Sequence, residues 1–213
     1  MQEDPASAAL IAGDASIMPP KLPSKSELRQ LWRSSFPSSE ERRKASHKIC
    51  NALAKSMQTI DGTIMAFLAM RDEPDLDPLI TRWLSESRTV LAPIVQWSEG
   101  TMAPAELKPP LPAIHPNPKA KPREPNGAVM SQSPPAVVLV PGVAFTAEGS
   151  RLGRGGGFYD RFLRTLPQST LRIGVGFSTQ VTQVLPMEKH DEPMSYLLTD
   201  SGWLGSEPCP EHP

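Results

Sequence analysis

Apolar residues in this chain recur either every three to four positions or in unbroken short runs, and the two patterns alternate. The first helical signal opens at Ser24-Lys25-Ser26-Glu27, a capping box with Ser24 at the N-cap and Glu27 at N3. In such a box, hydroxyl and carboxylate each satisfy a backbone N–H at the helix start. Leu28, Leu31 and Trp32 follow at helical spacing. Ser38 and Glu41 form a second box, and Ala45, Ile49, Leu53 and Met57 make an apolar face that stops before Asp61-Gly62. Asp77-Pro78 starts a third helix, with Leu79, Ile80, Trp83 and Leu84 inward. Phe158, Tyr159, Phe162, Leu163 and Leu166 mark a fourth.

Between these helices lie apolar runs at residues 63–68, 89–92, 136–140, 172–177 and 196–199. Unbroken apolar strands joined by helices predict an α/β fold: a single domain with a mostly parallel central sheet covered on both faces. In such sheets ligands bind at the carboxyl ends of strands. The loops after Leu68, Val140 and Phe177 are therefore where chemistry is expected.

Proline changes this picture in one place. The 213 residues include 25 Pro, over twice average usage. Twelve fall between positions 93 and 141, so residues 104–135 are expected to be neither regular helix nor sheet interior. Residues 1–22 read as a disordered leader, 23–204 as the folded domain and 205–213 as a flexible tail.

Charge and cysteine narrow the function. A net charge of −1 provides no global field for nucleic acid or an anionic membrane, so any anion site must be built locally. No apolar run approaches the 18 or so residues that span a bilayer, and Met1-Gln2-Glu3-Asp4 lacks a basic signal region. Cys50 and Cys209 sit in unlike contexts, with no Cys-x-x-Cys and no His/Cys cluster, so reduced thiols in a cytoplasmic protein are expected and zinc is not.

The strongest chemical signal runs from Arg151 through Gly153, Arg154, Gly155, Gly156 and Gly157 to Phe158, Tyr159, Asp160 and Arg161. It follows the strongest strand and enters a helix. Glycines let backbone N–H groups turn toward an anion, the helix start adds free donors, and arginines supply bidentate phosphate contacts. No Gly-Lys-Ser/Thr follows, and the third glycine of the dinucleotide fingerprint is missing. A plain flexible turn, or a fragment of an Arg-Gly-Gly RNA-binding tract, is the competing reading.

Asp160 and Asp191 are either dipole-complementing surface carboxylates or magnesium ligands. Lys25 and Arg29 share one helical face and are either screened by water or turned toward phosphates. Glu73, on the loop after Leu68, is an ordinary polar residue or an acceptor for the N–H groups of a heterocycle. His47 reads as surface, His115 as part of the Pro-rich loop, and His190 as a neighbour able to orient the Asp191 loop. No nucleophile with a base is evident, which favours positioning plus electrostatics, as in phosphoryl transfer.

Residues 140–145, Val-Pro-Gly-Val-Ala-Phe, followed by the tract from Gly149 to Leu163, resemble the signature of the 5-formyltetrahydrofolate cyclo-ligase (5,10-methenyltetrahydrofolate synthetase) family. Ile173 to Phe177, Gln180, Pro186, His190-Asp191 and Leu198-Thr199 follow in that family's order, and Lys25, Leu28, Arg29, Phe67-Leu68 and Glu73-Pro74 also fit. The resemblance covers roughly residues 25–200.

It implies a three-layer αβα fold and a ligase that uses ATP to convert 5-formyltetrahydrofolate into 5,10-methenyltetrahydrofolate, ADP and phosphate, through phosphorylation of the formyl oxygen. It implies catalytic roles for Arg154 and Asp160. It implies ATP binding by Lys25, Arg29, Arg151, Gly153, Arg154, Gly155, Gly156, Gly157 and Tyr159. Folate binding falls to Leu68, Glu73, Arg154, Gly155, Gly156, Gly157 and Phe158. Asp160 and Asp191 would hold Mg2+.

The expected protein is a cytoplasmic monomer whose partners are ATP and folate, with no nucleic acid or membrane. Departures are Phe158-Tyr159 where the family has two tyrosines, and the poorly matching stretch 104–135, in which Glu124-Pro125 corresponds to the family's Glu-Pro. A non-catalytic folate-binding paralogue, a sugar-phosphate isomerase on a related fold and an RNA binder are the alternatives.

Overall fold

A computed structural model describes residues 23–33, 37–113, 121–127 and 129–205. The leader 1–22, His115, Cys209 and nearly all of the tail lie outside the described residues.

Among the described residues, four α-helices and five of the nine strands lie largely where the two periodicities place them. Helix α1 (Lys25–Arg33) begins with the Ser24 box: Glu27 Oε2 accepts from Ser24 N at 2.7 Å, and Ser24 Oγ accepts from Glu27 N at 3.3 Å. Helix α2 (Ser39–Ser56) carries the second box, with Ser38 and Glu41 bonding reciprocally. Ala45, Ile49, Leu53 and Met57 are all buried. Helix α3 (Asp77–Ser85) starts at Asp77-Pro78 and buries Leu79, Ile80 and Trp83. Helix α4 (Phe158–Thr165) buries Phe162 and Leu163. Leu31 departs from the expected inner face of α1, being 58% exposed, because only Leu28 and Trp32 pack inward there.

The main sheet joins β1 (Ile64–Met65), β2 (Val90–Gln96), β3 (Thr101–Glu106), β4 (Val137–Pro141), β7 (Leu171–Val175), β8 (Tyr196–Thr199) and β9 (Gly202–Leu204) in the order β3-β2-β1-β4-β7-β8-β9. The inner five strands are parallel, and β3 and β9 close the edges antiparallel. A short antiparallel pair, β5 (Ala144–Phe145) and β6 (Arg151–Leu152), stands apart.

Successive residues of one strand enter opposite layers. Ile64, Val90, Val137 and Leu139 pack with α2 and α3, while Met65, Leu91, Val138 and Val140 pack with α4. That alternation inside fully apolar strands is what a sheet covered on both faces requires.

Three sequence expectations change. The run 63–68 contributes only Ile64 and Met65 to the ladder, with further bonds from Ala66 N to Leu91 O and from Ala136 N to Thr63 O. Its remainder is buried but irregular, since it must turn toward α3. The run 89–92 extends to Gln96 because a hairpin brings β3 alongside it. Strand β3 itself was masked by proline: Pro104 is tolerated because β3 is an outer strand.

Beyond β4 the chain packs unusually tightly. The Phe145 ring on β5 lies against Gly142, Gly174 and Gly176, where a methyl group would sit 2.6, 2.9 and 2.7 Å from ring atoms.

Candidate active site

Counting only the parallel strands, the spatial order is second, first, third, fourth, fifth. The chain therefore reverses direction across the sheet between β1 and β4. Crevices form outside the carboxyl ends at such a switch point. Here a cleft of about 660 Å³ is lined by Phe67 and Leu68 after β1 and by Pro141 and Gly142 after β4. The expected third loop, after Phe177, is a support rather than a wall. Its Gln180 is 1% exposed, donates to the Gly142 and Val143 carbonyls at 2.8 and 3.0 Å, and accepts from Phe177 N at 2.7 Å.

The Gly-rich loop forms one side. It leaves β6 at Leu152 and enters α4 through Gly157, whose φ of +66° is left-handed and suits glycine. Gly157 provides no side-chain cap, so the first N–H groups of α4 keep their donor capacity beside the cleft. Arg29 Nε donates to Gly153 O at 2.7 Å, joining α1 to the loop, and its Nη groups make no hydrogen bond among the described residues. Arg151, 4% exposed in its side chain, pairs with Asp160 Oδ1 at 2.9 Å and lies over the Tyr159 ring. Its Nε is buried without a hydrogen-bond partner among the described residues.

Lys25 Nζ lies 2.8 and 2.6 Å from the two Asp191 oxygens and 3.3 Å from Glu188. The structure thus sets candidate phosphate-binding cations directly against candidate metal carboxylates: Arg151 on Asp160 and Lys25 on Asp191. Burial pushes the Asp191 carboxyl up, but the Lys25 ammonium and the Glu188 N–H outweigh it and hold it below its ordinary value. Glu188, His190 and Asp191 place one ligand atom each within 4.8 Å of one another, and Asp160 is not part of that trio. His190 Nε2 lies 3.0 Å from Glu188, with both side chains more than half exposed. His47 is exposed, as expected.

Across the cleft stands Glu73, 8% exposed, on the loop between β1 and α3. It accepts from Met70 N at 2.9 Å and from Arg154 Nε at 3.1 Å, and Arg154 also pairs with Asp72 at 2.5 Å. Burial pushes the Glu73 carboxyl above its ordinary range, with Arg154 pulling the other way. Desolvation, with the Glu73 charge adding to it, pushes the half-buried Tyr159 phenol well above its ordinary value, so it stays a proton donor. Every residue assigned to the site from sequence, Lys25, Arg29, Leu68, Glu73, Arg151, Gly153 to Asp160 and Asp191, lines this one cleft.

Sequence reasoning missed one part of the lining. Pro93, Val95, Trp97 and Met102 come from the β2–β3 hairpin, and Lys121, Pro122 and Arg123 from the Pro-rich stretch. Trp97 meets Phe158 edge-on at 5.2 Å, and the Lys121 ammonium lies 5.8 Å from its ring centre. Arg161 binds the Gly100 and Gly156 carbonyls at 2.7 Å each, tying the hairpin to the Gly-rich loop. The hairpin had one sequence signal, Trp97 three residues before Gly100, but Pro104 argued against a strand there.

Residues 21–200 match the model of the 5-formyltetrahydrofolate cyclo-ligase family. The 5-formyltetrahydrofolate cyclo-ligase of Escherichia coli K12 is 33% identical over 147 residues, covering 65% of this chain and 78% of that protein. The enzyme of the same name from Mycolicibacterium smegmatis is 30% identical over 151 residues, covering 64% and 73%. The NMR structure of Aquifex aeolicus 5,10-methenyltetrahydrofolate synthetase superimposes with a TM-score of 0.64 at 29% identity, covering 84% of this chain and 91% of that one. A synthetase structure from Mycoplasma pneumoniae, at 21% identity and a TM-score of 0.66, shares the fold. With the family model spanning most of the chain and the signature residues gathered in one cleft, the chain belongs to the 5-formyltetrahydrofolate cyclo-ligase family, a family of ligases.

Proposed function

We propose that the protein cyclises 5-formyltetrahydrofolate to 5,10-methenyltetrahydrofolate with consumption of ATP and release of ADP and phosphate. One observation carries this reading: an anion cradle and a buried carboxylate, Glu73, line a single cleft and are joined across it by Arg154. The cradle, formed by the Gly-rich loop, the α4 start, Lys25, Arg29 and Arg151, suits a triphosphate. Glu73, Leu68, Phe158 and the hairpin suit a flat heterocycle with N–H donors. Arg154 bridges the two sides through Glu73, so it lies where the groups would react.

An amide oxygen is a poor leaving group, and phosphorylation makes it a good one. In this reading the formyl oxygen attacks the γ-phosphorus as the bond to ADP breaks. N10 of the folate then adds to the activated carbon, loses its proton, and the C–O bond breaks to release phosphate. The protein holds two substrates in line and neutralises charge. Arg151 and Arg154 stabilise the equatorial phosphoryl oxygens, Tyr159 donates a hydrogen bond, and Glu73 anchors the heterocycle.

The donor set fits Mg2+, which prefers carboxylates together with phosphate oxygens. Asp160 keeps Oδ2 without a hydrogen-bond partner among the described residues, and Asp191 lies beside Glu188. Asp160 and Asp191 would hold the ion, which supplies charge neutralisation to the triphosphate. Lys25 would then exchange Asp191 for a phosphate oxygen, leaving that carboxylate available.

The test is the absorbance band of methenyltetrahydrofolate, followed from 5-formyltetrahydrofolate with ATP or magnesium omitted in turn. A band requiring both is expected. Folded protein that binds folate but yields no band would establish the non-catalytic paralogue instead.

A further inference from the structure

The Pro-rich stretch supplies part of the cleft wall, and one buried charge holds it there. Arg123 forks onto Asp77, with Nη1–Oδ1 at 3.0 Å and Nη2–Oδ2 at 2.7 Å. Its Nε donates to Pro112 O at 2.8 Å, and Nη1 reaches toward Ala69 O at 3.5 Å. The Arg123 side chain is 6% exposed. These bonds bring together three segments: the loop after β1 that carries Glu73, the first turn of α3, and the chain leaving β3. The next residue, Glu124, accepts from Val95 N of β2 at 2.8 Å. Two adjacent residues are thus bound to different walls, while Lys121, Pro122 and Arg123 line the cleft between them.

A buried ion pair is weak evidence for stability, because desolvation cancels much of the attraction. A planar fork with extra carbonyl acceptors is instead a good way to fix position, since every donor direction is specified.

We propose that Arg123 is a positioning residue: through Asp77, Pro112 and Ala69 it holds the 121–124 wall and the Glu73 loop at the spacing that admits the folate co-substrate. It thereby sets folate affinity without touching the nucleotide. The proposal rests on the cyclo-ligase reading above.

Steady-state kinetics of the full chain, varying folate and ATP separately, test it with Arg123→Met and Arg123→Lys. Arg123→Met is expected to raise the apparent KM for 5-formyltetrahydrofolate about tenfold, with kcat and the KM for ATP within about twofold. Arg123→Lys, which keeps the charge and one donor direction, is expected to recover part of that loss. Should Arg123→Met fail to fold by circular dichroism, the lysine variant must still show the folate-specific shift. An unchanged folate KM in a folded variant, or equal losses in both KM values and kcat, overturns the proposal. Wild-type protein without ATP-dependent turnover overturns the cyclo-ligase reading itself, before any variant is compared.

Discussion

The two sides of the cleft are built in opposite ways. The cradle side is drawn mostly from one continuous tract, Arg151 to Asp160, with Lys25 and Arg29 added from α1. Within the tract Arg151 is matched by Asp160, while Lys25 is matched by Asp191 from a distant segment. The opposite side is collected from the β1–α3 loop, the β2–β3 hairpin and the Pro-rich stretch, and it is held by contacts between residues tens of positions apart. A phosphate needs many donors on a short arc, which one loop and one helix start provide. A large heterocycle needs walls on several sides, which only tertiary packing provides.

If the division is functional, the two sides separate in kinetics. The largest effect belongs to Asp160→Asn, which preserves shape but removes a carboxylate between Arg151 and the cleft. Turnover is expected to fall about 100-fold or more in protein that remains folded by circular dichroism, with a lower melting temperature because the buried Arg151 loses its counter-charge. Wild-type-like turnover would take Asp160 out of the chemistry.

Glu73→Gln comes next. It is expected to raise the apparent KM for folate about tenfold, roughly 1.4 kcal/mol, and leave that for ATP unchanged. A defect on the ATP side alone would erase the division drawn here. Burial raises the Glu73 carboxyl above its ordinary range against the pull of Arg154, so it ionises at higher pH than a free carboxylate. The gap between wild type and Glu73→Gln should therefore widen as pH rises and close as pH falls. A gap independent of pH would mean that the charge of Glu73 is irrelevant.

Trp97→Leu removes an edge-on aromatic contact with Phe158 and should raise the folate KM about threefold, since such pairs contribute about 0.5–1.5 kcal/mol. An unchanged KM would leave the hairpin a wall without a substrate contact.

The smallest effect is in stability. Asp191 is held below 3.8, so its pairing with Lys25 stabilises the fold above that value and is lost as pH falls through the lowered one. Denaturant unfolding in that acid range should show a shallower pH slope for Asp191→Asn than for wild type.

Legibility in the sequence followed the same division. Both capping boxes, the α2 face and the tract from Arg151 to Asp160 were readable because each is specified by neighbours within a few positions. Trp97, Lys121 and Arg123 were not, because nothing near them in the chain says what they will face. Strand β3 was hidden for a related reason: Pro104 argues against a strand unless it is known to lie at the edge, and edge position is a property of the whole sheet. The ion pairs of Lys25 and Arg151 lay in between. The residues were identified, but sequence could not show that they hold each other.

The Phe145 ring has a consequence for how this chain can diverge. Three glycines from two separate segments, Gly142, Gly174 and Gly176, yield their side-chain space to one phenyl group, at 2.6 to 2.9 Å from any added methyl. None of these four positions can accept a larger residue alone. A descendant carrying alanine at one of the three would need a smaller side chain at 145, and would lose the packing that sets Gly142 at the mouth of the cleft. The route between such sequences passes through an intermediate that is either overfilled or hollow, which binds the drift of this part of the molecule into a single correlated step.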